Sequence, residues 1–128
     1  MPQKIIARTP RECFEAFKNL NNAKLWVPGL KKVRIVTTDK ENNPKEVAFE
    51  FGDTASYSLV YKWDDEQLRV RWVPASGVMD AVAGVASFTA HEDGCLFIYT
   101  LEALRGRTPG HAEDVAEAFS RWMKTPSR

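Results

Sequence analysis

From residue 33 to residue 101 large apolar side chains recur at every second position, while the flanking segments repeat them every third or fourth. A period of two belongs to a strand with one buried face, and a period of 3.6 to a helix with a buried stripe. Val47, Phe49 and Phe51 alternate with Glu46, Ala48 and Glu50; Tyr57, Leu59, Tyr61 and Trp63 alternate with Ser56, Ser58, Val60 and Lys62. Leu68, Val70 and Trp72 alternate with Arg69 and Arg71, and Cys95, Phe97, Tyr99 and Leu101 with Leu96, Ile98, Thr100 and Glu102. Residues 4–8 and 33–37 form two further strands. In the remaining one Val82, Gly84, Ala86 and Phe88 alternate with Ala83, Val85, Ser87 and Thr89, and the facing is open. Polar turns fall at 39–44, 52–55 and 64–65, a longer loop begins at Pro74, and a tight hairpin occupies 91–94. Clean alternation over successive hairpins predicts an antiparallel sheet with one wet face and one buried face.

The helical segments lie outside this run. Thr9-Pro10-Arg11-Glu12 is a capping box, with Thr9 as N-cap, Pro10 in the first helical position and Glu12 reaching back. The helix it opens carries Cys13, Phe14, Phe17 and Leu20 inward; Asn21-Asn22 ends it and caps a second short helix holding Ala23, Leu25 and Trp26, closed by Pro28-Gly29. Residues 110–124 set Val115, Phe119, Trp122 and Met123 on one side with Ala112 and Ala116. Glu113, Asp114 and Glu117 come early in that helix and Arg121 and Lys124 late, which suits the helix dipole. Thr108-Pro109-Gly110 breaks the chain before it and Thr125-Pro126 after it. The order is strand, two short helices, six strands, helix. It predicts an α+β fold in which a curved antiparallel sheet of about seven strands wraps around the C-terminal helix, with Phe119 and Trp122 against its concave face.

Composition excludes more than it assigns. A chain of 128 residues reads as a single domain over its whole length. At 44% hydrophobic and 27% charged it is neither disordered nor a coiled coil. A net charge of +1 supplies no field for nucleic acid or an anionic membrane, and Lys31-Lys32-Val33-Arg34 reads as a solvated strand end. No stretch approaches the ~20 apolar residues of a membrane span, and the first residues show no apolar leader. The expectation is a cytoplasmic protein, a monomer or weak homodimer, without an integral membrane segment. Cys13 and Cys95 match no metal or redox spacing and read as buried, reduced thiols.

Four stretches carry a resemblance. Residues 6–17, Ile-Ala-Arg-Thr-Pro-Arg-Glu-Cys-Phe-Glu-Ala-Phe, and residues 25–33, Leu-Trp-Val-Pro-Gly-Leu-Lys-Lys-Val, are similar to the opening motifs of the START-like (SRPBCC) superfamily. Residues 82–88 and 93–101 resemble its later "L-x-G-x-W-x-F" and "G-T-x-V-x-Y-x-L" strands. That superfamily has the helix-grip fold and includes polyketide cyclase/dehydrase-like proteins, coenzyme-Q-binding proteins, lipid-transfer domains and pollen-allergen-like proteins. The resemblance spans essentially the whole chain. Ala86 departs from a common large aromatic, Cys95 from a common Thr, and the final helix is short for the group. Ala86 either widens a cavity or lets Trp122 approach the sheet.

Reactive constellations are few. There is no Gly-rich phosphate loop and no nucleophile-elbow Ser. His91 and His111 lack partners at metal spacing, and Glu50 and Glu102 fall on polar faces. No metal and no cofactor is expected. The polar groups placed to meet a cavity are Tyr57, Tyr61, Tyr99, the Trp72 indole and a loop arginine, Arg105 or Arg107. Such groups either orient a ligand or are amphipathic core residues whose polar ends reach water. The resemblance implies a small, mostly apolar ligand between helix and sheet, a lipid, isoprenoid or polyketide-like compound. Tyr57, Tyr61, Trp72, Phe88, Tyr99 and Phe119 are the candidate lining, Gly84 and Ala86 leave room, and entry is expected beside the loops at 74–80 and 105–110. A cyclase/dehydratase-type enzyme and a protein-interaction module with a vestigial cavity are the alternatives.

Overall fold

The computed structural model describes residues 3–27, 29–51, 55–75, 83–101 and 112–124. Its strands are β1 (Gln3–Ile6), β2 (Lys32–Thr38), β3 (Pro44–Phe51), β4 (Ala55–Asp64), β5 (Arg69–Pro74), β6 (Gly84–His91) and β7 (Gly94–Leu101). They form one antiparallel sheet in the order β1-β7-β6-β5-β4-β3-β2. Helix α1 (Pro10–Lys18) and a 3₁₀ helix (Leu20–Leu25) lie between β1 and β2, and helix α2 (Ala112–Met123) follows β7.

The alternation places the core. Val47, Phe49, Leu59, Tyr61, Val70, Trp72, Ala86, Phe88, Cys95, Phe97 and Tyr99 are buried on one face of the sheet. Cys13, Phe14 and Phe17 of α1 and Val115, Ala116, Phe119 and Met123 of α2 close over that face. Helix α1 packs on β6 and β7, and α2 on β1 and β7. Phe17 is the hub: its ring lies 5.5 Å from Trp26, 6.1 Å from Trp72, 5.6 Å from Phe88 and 5.5 Å from Phe119.

The capping box forms as read. The Thr9 Oγ1 accepts the Glu12 N–H at 3.0 Å and a Glu12 carboxylate oxygen accepts the Thr9 N–H at 2.9 Å. Lys18 reaches the turn after β4, 2.8 Å from Asp65, and Lys4 of β1 lies 2.9 Å from both Glu113 and Glu117 of α2.

Several expectations are corrected. Asn19, not Asn21-Asn22, ends α1, and the second short helix is 3₁₀. Its tighter, three-residue turn keeps Leu20, Ala23 and Trp26 inward and leaves Leu25 62% exposed. Strand β5 runs through Pro74, and β6 continues to His91. Trp122 is half-buried, stacked 6.5 Å from Trp26, rather than sealed against the sheet. The position of Val82, the loop stretches 76–80 and 105–110, and His111 lie outside the described residues.

Candidate functional site

Six interstrand spacings make the sheet about 29 Å wide, whereas a helix is only about 10 Å across. Helix α2 sits over the β1–β7 end. Over the β3–β5 part the roof is the 3₁₀ helix with Phe17 at the edge of α1, and beneath it remains a cavity of about 320 Å³. Its floor is Phe49 and Phe51 of β3, Tyr57, Leu59 and Tyr61 of β4, Trp72 of β5 and Tyr99 of β7. Its roof is Phe17, Leu20, Ala23, Trp26 and Val27. Asp114 and Val115, in the first turn of α2, complete the wall. Asp114 is the one charged residue among the described lining, and it is solvent-exposed.

Four of the six candidate residues therefore meet at the cavity: Tyr57, Tyr61, Trp72 and Tyr99. Phe88 and Phe119 do not line it. They are 1% and 0% exposed, with ring centroids 6.5 Å apart, in the packed layer between β6 and α2. Alternation puts a side chain on the concave face but does not say which part of that face the helix covers. The roof residues were missed as lining, although Phe17 and Trp26 were legible as inward-facing.

Gly84 acts otherwise than expected. A Cβ built there would lie 2.5 Å from Trp72 Cζ2 and 2.7 Å from the Thr100 carbonyl oxygen. The hollow left by this glycine is thus filled by the Trp72 indole rather than open. Ala86 is fully buried and outside the cavity lining. One consequence is a continuous aromatic wall. Tyr61 pairs with Trp72 in register, and the Trp72 ring lies 5.8 Å from Tyr61 and 5.4 Å from Tyr99.

Beside the Trp72 indole N–H, the polar side-chain atoms on this wall are the three phenols. Among the described residues none of the Tyr57, Tyr61 or Tyr99 hydroxyls has a hydrogen-bond partner. Burial pushes the Tyr57 phenol up to about 12. Burial, reinforced by the neighbouring phenols, holds Tyr61 and Tyr99 well above the ordinary tyrosine range. All three are therefore neutral across physiological pH and act as O–H donors. On the roof, the Trp26 indole N–H is buried without a partner. Among the described residues no group of His, Cys, Asp and Glu is placed to hold a metal ion.

The two cysteines, remote in sequence, meet beneath α1. Both are free and fully buried, and their thiols hydrogen-bond each other. That contact, with burial second, pushes the Cys13 thiol far up, while Cys95 is lowered by the bond it accepts from Cys13. Neither lines the cavity.

The sequence matches no protein-family model and no curated protein. Solved structures do match. A START superfamily protein from Mycobacterium smegmatis superposes with a TM-score of 0.77 at 10% identity, over 98% of this chain and 96% of its own.

The fold is START-like. A STAR-related lipid transfer protein from Xanthomonas axonopodis matches with a TM-score of 0.68 at 10% identity, over 94% of this chain and 82% of its own. The Zhui aromatase/cyclase from Streptomyces sp. R1128 matches with a TM-score of 0.57 at 12% identity, over 94% and 82%. The seven-stranded sheet, the early short helices and the closing helix of this chain are the helix-grip architecture.

Proposed function

We propose that this START-like chain binds a small, mostly apolar molecule, a lipid, isoprenoid or polyketide-like compound, in the cavity between the sheet and its helical roof. The observation that carries the reading is the cavity itself: about 320 Å³, walled by aromatic and aliphatic side chains with three phenols and one rim carboxylate. That volume is at the lower end of the ~300–1,000 Å³ range of small-molecule sites. The lipid-transfer and aromatase/cyclase neighbours support a carrier and an enzyme alike. The lining favours the carrier. It holds no described His, Lys or Cys, and its one carboxylate lies at the solvent-exposed rim, whereas acid–base chemistry needs an ionisable group converging on the reacting atoms.

An interaction module would show a contiguous exposed apolar patch. Among the described residues the exposed large apolar side chains, Ile5, Leu25, Val36 and Val73, are single ones on β1, the 3₁₀ helix, β2 and β5, and these three strands are not neighbours in the sheet.

The test is a thermal-shift screen of lipids, isoprenoids, flavonoids and aromatic polyketides against wild type and Val115→Trp, which fills the cavity from α2. A true ligand at a hundred times its dissociation constant stabilises wild type by about 2.7 kcal/mol, and the filled variant loses that response. If no compound shifts wild type while Val115→Trp melts higher, the cavity is a packing gap and the interaction role takes its place.

A further inference from the structure

We infer that Tyr57, Tyr61 and Tyr99 form a hydrogen-bonding wall that selects a neutral oxygen acceptor, a ring-bound ketone or ester carbonyl, on the cavity's ligand. The inference rests on the cavity reading and narrows it: the occupant is neither a bare hydrocarbon nor a carboxylate anion.

The placement is built into the strands. Tyr57 and Tyr61 are four residues apart on β4 and so share a face, and the indole of Trp72 stands beside Tyr61. Tyr99 belongs to β7, with β6 between it and β5. Its ring nevertheless comes within 5.4 Å of the Trp72 ring, because the intervening strand carries only Gly84 opposite Trp72 and Ala86 opposite Tyr99. The glycine thus gathers phenols from distant strands onto one wall.

The hydroxyls make no hydrogen bond to the described protein. Tyr61 and Tyr99 are each only 8% exposed. A buried phenol ordinarily finds a backbone or side-chain partner. Here none of the three has one among the described residues, and the Trp26 N–H across the cavity also lacks one. Phenol donors without a protein partner on the wall of an apolar cavity are a complement for acceptors on whatever fills it. Because burial disfavours the ionised form of all three, with neighbouring phenols adding to it at Tyr61 and Tyr99, the wall presents O–H groups rather than phenolate oxygens.

Charge separates the acceptors. A carboxylate would meet the same donors, but among the described lining residues there is no cation to neutralise it, and Asp114 would repel it. A carbonyl on a neutral ring system gains the hydrogen bonds without that penalty. A hydrocarbon of the same shape leaves the phenols unpaired.

One skeleton in three forms tests this: fluorene, 9-fluorenone and fluorene-9-carboxylate, titrated against the full chain by quenching of tryptophan fluorescence. Wild type is expected to bind fluorenone at least about tenfold more tightly than fluorene, with the carboxylate weakest. In Tyr61→Phe and Tyr99→Phe, which keep the rings and remove the donors, the ketone-to-hydrocarbon ratio should fall toward one. Equal binding of fluorene and fluorenone by wild type overturns this inference and leaves the cavity reading standing, as does an unchanged ratio in both variants. Binding of none of the three overturns both.

Discussion

A single methyl group at position 84 would sit 2.5 Å from the Trp72 ring, closer than any carbon contact allows. Gly94 is similarly confined, since its φ of 134° and the Ile6 carbonyl oxygen leave no space for a side chain. Against Gly84 the Trp72 indole takes a fixed place, and the phenols of Tyr61 and Tyr99 lie beside it. Tyr57 is pushed up to about 12, and Tyr61 and Tyr99 are raised as well. In the unfolded chain tyrosine ionises near pH ~10. The unfolded state therefore loses protons that the folded state keeps, and the stability these residues contribute below pH ~10 is lost as pH rises toward about 12. Thermal melts across alkaline pH should show wild type falling steeply there and Tyr61→Phe falling less. Identical slopes would remove the phenols as the cause. The thiols give a second residue-level test. Cys13 and Cys95 are fully buried beneath α1, so a thiol reagent should label them at the rate of unfolding and far faster in denaturant. Rapid labelling of native Cys13 would contradict the packing.

At the scale of elements, α2 holds the core together through Phe119, whose ring lies 4.9 Å from Phe97 and 4.8 Å from Trp26. Phe119→Ala should cost about 3–5 kcal/mol in chemical denaturation, because no neighbour can close the gap. Trp122→Ala should cost less, since that ring is half-buried. A larger loss at Trp122 would mean that the helix is anchored at its end rather than its middle. The strands were legible because the large side chains of Val47-to-Phe51 and Tyr57-to-Trp63 alternate with smaller or polar ones, Val60 being the largest apolar residue on the other face, and such a pattern buries only one way. The capping box announced α1 equally plainly. Leu25 was misjudged because its spacing suits an α-helix and the chain there winds as 3₁₀. Of the site, the phenols and Trp72 were legible as residues of the concave face. Which concave residues face a cavity depends on where α2 lies across the sheet, and no local pattern encodes that. Phe88 and Phe119 were therefore assigned to the cavity though they belong to the packed layer, while Ala23 and Val27 of the roof were passed over.

The molecule as a whole is divided by its helices into two halves of unequal density. Over β6 and β7, α1 and α2 pack Phe14, Phe88, Phe97 and Phe119 without exposure, while over β3 and β4 the sheet is roofed only by short elements and stays hollow. Rigidity and recognition are in this way assigned to different ends of one sheet. The pairing of β1 has a separate consequence, for how the chain is made. Gln3 lies opposite Ile98, and Lys4 reaches Glu117, 113 positions away. An edge of the sheet and its clasp on α2 therefore join residues that leave the ribosome 113 positions apart. The central hairpins, each joining strands next to one another in sequence, are free to pair as they emerge. Strand β1 must wait, unpaired, until β7 and α2 arrive, and closing so long a loop slows the final step. Until then the part of the apolar face that α2 covers, beside β1 and β7, stays open.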